Sequence, residues 1–249
     1  PTLLTDISNA NFYTHHPQFF VVPIFLMYKF FGVSEVTTRL APFLLIIISS
    51  VIFAFALRKI FRNIWPSIFS ILVFGIMPGV IFYGKTAELA VFSLPAALAT
   101  FSLFVFYLKS NGRKYFYLFL LSIVLGGLIG WFYYLMPVSI WLFVLFDKKY
   151  GVCNRKKLLL LIPLISLITF EFVLLHFYIL SGNVFGNLFD AFKHRASRQP
   201  ILGWGNRIGW LLNLQVTWVF LVTFLSGIIV FFYNLKKNTS LRLLTPLLL

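Results

Sequence analysis

The sequence predicts an all-α fold, a polytopic bundle of transmembrane helices, and three observations carry that prediction. Hydrophobic residues make up 60% of the 249-residue chain and charged ones 11%, with a mean hydropathy of +0.94, well beyond that of a soluble domain. Several apolar runs reach the roughly 20 residues that a bilayer-spanning helix needs. Their Leu, Ile and Phe content shows no period-2 alternation, which argues against a β-barrel.

Five longer apolar runs mark the elements in order: approximately 40–57, 64–83, 89–108, 158–180 and 211–233. Between the third and fourth lies "YFYLFLLSIVLGGLIGWFYYLMPVSIWLFVLF", residues 115–146, which is long for one helix. Gly126-Gly127, Gly130 and Met136-Pro137 punctuate it, because Gly and Pro loosen a helix where neighbours can satisfy the freed backbone. A span, a break and a shorter returning segment are expected there. The chain opens on Pro1 without a basic leader and cleavage site and closes inside an apolar run, so it reads as a fragment truncated at both ends. Cys153, the single cysteine, permits no internal disulfide.

Basic residues set the expected orientation. The stretches 58–62, 109–114, 148–157 and 236–242 hold 14 of the 21 Lys and Arg, and the positive-inside rule makes them cytoplasmic. This count also requires the 115–146 run to cross and return. The net charge of +15 is then mostly topology, and no nucleic-acid partner is needed to explain it. The other face receives residues 1–38, the corner 84–88 and the loop 181–210. Four of the six acids fall there, Asp6, Glu35, Glu88 and Asp190, in a chain otherwise stripped of charge.

With the spans placed, the segment "HHPQFFVVPIFLMYKFFGVSEVTTRLAPFLLIIISSVIFAFALRKIF" resembles membrane glycosyltransferases of the GT-C class. It follows their order of His-Pro-Pro-Leu, then Phe-Gly-x-Ser-Glu, then Arg-Leu-Pro, most nearly as in the protein mannosyltransferase and aminoarabinose transferase relatives. Gln18 stands where the second proline is usual. The resemblance covers about residues 12 to 110. It implies that 1–249 is a partial transmembrane glycosyltransferase domain, with 1–38 an external loop and juxtamembrane surface helix and 39–249 the spanning part. It also implies a multi-pass protein of the plasma or inner membrane whose active face is non-cytoplasmic. The implied reaction moves a sugar from a polyprenyl-phosphate donor to a lipid, glycan or protein acceptor.

That family carries its principal catalytic acid in the first external loop, upstream of the His-Pro motif and often as an Asp-Glu pair. Here "TDISNANFYTHHPQ" offers Asp6 with no following glutamate, so the role falls either to Asp6 or to an acid upstream of Pro1. Glu88 occupies the corner where relatives carry a second acidic residue. Its alternative role is a helix-start charge favoured by the macrodipole, worth about 0.3–1 kcal/mol. Lys85, three residues earlier, could share its face or meet a phosphate oxygen.

Arg39 could present its planar fork to a lipid phosphate or snorkel into the interface. His15 and His16 could hydrogen-bond a phosphate or a sugar hydroxyl, ligate a metal, or form a plain interfacial pair. Some relatives hold a divalent metal near this motif, yet no His-x-x-x-His spacing occurs here, so a metal cofactor is left open. In the loop 191–207, His194, Arg195 and Arg198 break the positive-inside trend. They suit a pyrophosphate or phosphate head group nearly as well as anionic membrane lipid. Glu171 lies deep in the run 158–180, where a lone carboxylate costs about 2.5–3.5 kcal/mol by insertion scales and is expected to face the bundle interior or water.

Two rival functions remain at this level. A transporter or lipid flippase would carry coupling charges near the midplane and inverted internal repeats, and Glu171 is the one acid so placed. A non-catalytic membrane subunit would keep the fold and lose the acid. No Gly-rich nucleotide loop appears, which fits a lipid-linked donor.

Overall fold

The computed structural model describes residues 17–76, 89–146, 152 and 154–182. Its described elements are helices α1 (Val21–Phe31), α2 (Glu35–Phe61), α3 (Trp65–Ile76), α4 (Leu89–Ser110), α5 (Arg113–Gly127), a 3-10 turn (Trp131–Tyr134), α6 (Leu135–Phe146) and α7 (Arg155–Ser181). Among the described residues, three helices are long and apolar enough to cross a membrane: Glu35–Phe61, Val91–Ser110 and Arg155–Leu180. The protein is therefore a helical membrane bundle. The run 211–233 lies outside the described residues.

Each helix boundary has a local cause. α1 ends at Gly32, whose φ of 78° lets its N–H return to the Tyr28 carbonyl at 2.9 Å. Ser34 then caps α2, its Oγ accepting from the Thr37 N–H at 3.1 Å, and Glu35 occupies the first turn where the macrodipole favours an anion. This cap starts α2 a few residues before the apolar run that betrays it in the sequence. Arg58 and Lys59 close the same helix on its carbonyl end.

Packing contacts fix the directions. Ala41 shares a cluster with Phe92, Phe53 meets Phe101, and the Lys59 Nζ lies 5.4 Å from the Phe106 ring, so α2 and α4 run parallel. Along α4, Thr100 lies near Ser122 and Phe104 against Phe119, while Tyr107 meets Phe116; α5 is thus antiparallel to α4. Phe104 also meets Phe143, and Thr100 meets Tyr133, so α6 runs back alongside α4. α7 is antiparallel to α6, with Arg155 donating to the Val144 and Leu145 carbonyls at one end and Trp131 against Phe170 and Phe177 at the other. The core is aromatic and aliphatic, centred on Phe101, Phe104, Phe119, Ile140 and Phe143.

The 115–146 run is the expected hairpin, but its break falls at 128–130 alone. Pro137 sits inside the first turn of α6, where a missing N–H costs nothing, so it ends no helix. Gly126 and Gly127 remain helical and act through space instead. A Cβ on Gly126 would stand 2.2 Å from the Tyr133 ring, and one on Gly127 would stand 2.8 Å from Thr169 Cγ2 and 3.0 Å from Tyr134 Oη. Tyr133 is fully buried; its hydroxyl donates to the Ser122 carbonyl at 2.8 Å and pairs with the Thr100 hydroxyl at 2.7 Å.

Pro163 within α7 removes the N–H that would have met the Leu159 carbonyl, and Trp141 of α6 donates its indole N–H to that oxygen at 3.0 Å. Trp141→Phe leaves the carbonyl without this partner in an apolar setting, at a cost of about 1–3 kcal/mol. A lower thermal midpoint for the detergent-solubilised variant is the expected result. An unchanged midpoint would show that the carbonyl finds another donor.

Candidate functional site

The corners between α2 and α3 and between α4 and α5 gather at one end of the bundle with the close of α6 and the start of α7. Lys59 bridges to Phe106 and Tyr115 there, and Asn154 reaches the Tyr107 hydroxyl at 3.5 Å. Arg58, Lys59, Arg62, Lys109, Arg113, Lys114, Arg155, Lys156 and Lys157 belong to this basic end. The opposite end carries the 17–20 entry to α1, α1 itself, the Gly32–Ser34 corner, the hairpin apex and the close of α7, and it is the candidate site.

Its frame is built from hydroxyls. Tyr28 Oη and Thr38 Oγ1 lie 2.6 Å apart, Thr38 Oγ1 donates back to the Ser34 carbonyl at 2.8 Å, and Ser34 Oγ pairs with Thr37 Oγ1 at 2.6 Å. These bonds pin α1 to the first turn of α2 and set the position of Arg39, one turn on from Glu35. Ile24, Ala41 and Phe92 form a small buried cluster beneath α1, with Phe20, Met27 and, from the hairpin apex, Ile129 packed on it. Irregular backbone at membrane depth is stable only when protein covers it, and α1 supplies part of that cover at the apex.

Arg39 is half-exposed and its Nη2 donates to Glu35 Oε1, an i,i+4 ion pair. Such exposed pairs are worth little, so the guanidinium can exchange or extend its contacts at small cost. A guanidinium has five N–H donors, and this pair occupies one side of the fork. Of the residues nominated from the sequence, Arg39 is the one within the described residues. Asp6, His15, His16, Lys85, Glu88, His194, Arg195 and Arg198 lie outside them, and so does any cavity they would share.

The structure adds His176, five residues beyond Glu171 on α7. Its half-buried ring lies 6.3 Å edge-on from Phe19, so the last turns of α7 stand beside the residues that lead into α1. The topology alone held the signal, since α7 must end on the same side as that entry. Of the two environments expected for Glu171, it does not take the interior of the described bundle. Ile162, Thr169, Val173 and Phe177 fill the inward stripe of α7, leaving Glu171 on the open side with Leu160, Leu164, Leu167 and Leu175. Among the described residues no group of three or more His, Cys, Asp or Glu could hold a metal.

No curated protein and no solved structure matches the chain at a significant level. The profile of the dolichyl-phosphate-mannose-protein mannosyltransferase family matches residues 15–176, from the His-His-Pro element of the sequence to His176. A helical membrane bundle with that match over more than half its length belongs to the dolichyl-phosphate-mannose-protein mannosyltransferase family, the membrane glycosyltransferases of GT-C type.

Proposed function

We propose that the protein transfers a sugar from a polyprenyl-phosphate donor to a lipid, glycan or protein acceptor on the non-cytoplasmic face of its membrane. The observation that carries this reading is the family match from residue 15, which includes the His-Pro entry and both helices of the α1–α2 corner. The basic end takes the cytoplasmic side by the positive-inside rule, which turns α1, Arg39 and His176 outward.

A loop carboxylate, Glu88 or Asp6, takes the proton from the acceptor hydroxyl as its oxygen attacks the anomeric carbon. The bond from that carbon to the phosphate oxygen breaks, and the lipid phosphate leaves with the electron pair. It leaves as an anion, so cations serve it better than a proton donor does. Arg39, Lys85, His15, His16, His194, Arg195 and Arg198 are assigned to the donor's phosphate and sugar. The Glu35 pair holds Arg39 at the head of α2 in readiness for that exchange.

Oriented vesicles containing the full-length protein test the reading. Transfer is expected from polyprenyl-phosphate sugars and not from nucleotide sugars, and only to acceptor presented on the face opposite the basic loops. Transfer from nucleotide sugars, or to acceptor on the basic face alone, would overturn it.

A further inference from the structure

The parallel pair α2 and α4 keeps one register to its basic end and finishes there on two cations. Phe53 meets Phe101, Lys59 lies over the Phe106 ring, and one turn further Arg62 stands close enough to Lys109 for their charges to repel. Lys59 also reaches the Tyr115 ring of α5, which holds the α2–α3 corner against the α4–α5 corner. Among the described residues the carboxylates are Glu35, at the far end of α2, and Glu171, more than halfway along α7, so none stands at this corner. Asp147, after the close of α6, lies outside them.

Helix ends do not account for these charges. Arg62 holds a φ of 57°, the left-handed conformation, whereas the other non-glycine residues described with positive φ, Asn111 and Asn154, are of a type that tolerates it. An arginine kept where asparagine or glycine fits better points to a use for its guanidinium. Arg113 and Lys114 open α5, the end of a helix that disfavours cations. The corner turns apolar where it meets α3. Exposed Trp65, Ile68, Phe69 and Leu72 recur at i, i+3, i+4 and i+7, a stripe that begins beside Arg62 and runs along α3 with tryptophan at its polar end, the place that suits an indole at headgroup level.

We propose that an anionic phospholipid docks on this corner, its phosphate between Arg62 and Lys109 and one acyl chain along the α3 stripe. A soluble anion would match the cations alone; a phospholipid matches the cations and the stripe together. The planar fork of arginine and the compact ammonium of lysine both suit a phosphate, and an anion between them removes their mutual repulsion. By the positive-inside assignment this is the cytoplasmic leaflet, where anionic lipids give the surface its negative potential. The lipid site lies at the opposite end of α2 from Arg39, so its test does not depend on sugar transfer.

The test is the thermal midpoint of the detergent-solubilised full-length protein, titrated with phosphatidylglycerol, with phosphatidylcholine of the same acyl chains, and with glycerol phosphate. Phosphatidylglycerol alone should raise the midpoint, because a ligand of the folded state stabilises it. Arg62→Asn relieves the backbone and should be at least as stable as wild type without lipid. It should nevertheless need about tenfold more phosphatidylglycerol for the same shift, the loss of one charge-assisted hydrogen bond. Lys109→Gln should need a similar excess. The double variant Lys156→Gln with Lys157→Gln removes more charge from the same end, at exposed positions of α7, and should respond as wild type does. Equal shifts from both phospholipids, a full shift from glycerol phosphate, no shift at all, or an equal loss of response in the α7 variant would overturn the proposal.

Discussion

Glu88→Gln is expected to slow sugar transfer by about 10²–10⁴-fold, the usual contribution of a group that moves or positions a proton, while the protein still inserts and folds. The substitution keeps the shape of the side chain and removes its charge, so a loss of that size must come from the missing carboxylate. Glu88 sits just ahead of α4, the helix that is most enclosed among the three long spans. A charge serving only the helix start would cost no more than about 1 kcal/mol of stability and leave transfer intact. The measurement is transfer from a panel of polyprenyl-phosphate sugars in membranes, wild type against Glu88→Gln at equal expression. Unchanged transfer would move the catalytic role to Asp6 or to an acid upstream of it.

The largest effect on stability is expected at Gly126. A methyl group there would overlap the Tyr133 ring at 2.2 Å, and the ring cannot shift without loosening its bonds to Ser122 and Thr100. Overpacking costs about 1–3 kcal/mol and an orphaned buried hydroxyl about as much again, so Gly126→Ala should lose roughly 2–6 kcal/mol. Gly75→Ala is the matched control, since nothing stands within 4 Å of its added Cβ. Folded yield and thermal midpoint after solubilisation separate the two variants. A Gly126→Ala protein as stable as Gly75→Ala would show that the hairpin can open without penalty.

The spans 40–57, 89–108 and 158–180 were legible because hydropathy depends on composition over long windows, and burial in lipid rewards composition directly. Their edges were less so: α2 begins at Glu35 because of a single hydroxyl, Ser34 Oγ, which hydropathy does not weigh. In the 115–146 run the glycines announced a hairpin, but their roles divided between Gly130, where the chain turns, and Gly126 and Gly127, where it admits tyrosine rings. That division depends on what α5 packs against, which local sequence does not encode. Arg39 was legible as a cation at a helix head, whereas its partner Glu35 required only the i,i+4 spacing and was overlooked in favour of a phosphate. His176 could not be found from its neighbours in sequence, because Phe19 approaches from the far end of the described chain.

The hairpin is short for a membrane. α5 has 15 residues, about 22 Å of helix, where the hydrocarbon layer measures about 30 Å. Above its apex lies α1, apolar on nearly every side, with Val22, Phe25, Phe30 and Phe31 all exposed. A helix of that character does not float on a polar surface; it sinks to the edge of the acyl chains. A bilayer that follows the apex is expected to dip there, on the side of the candidate site. Each ångström of such mismatch costs a fraction of a kcal/mol, which favours thin membranes over thick ones. A lipid phosphate in such a dent would ride lower than elsewhere on that leaflet, level with the head of α2 where Arg39 pairs with Glu35.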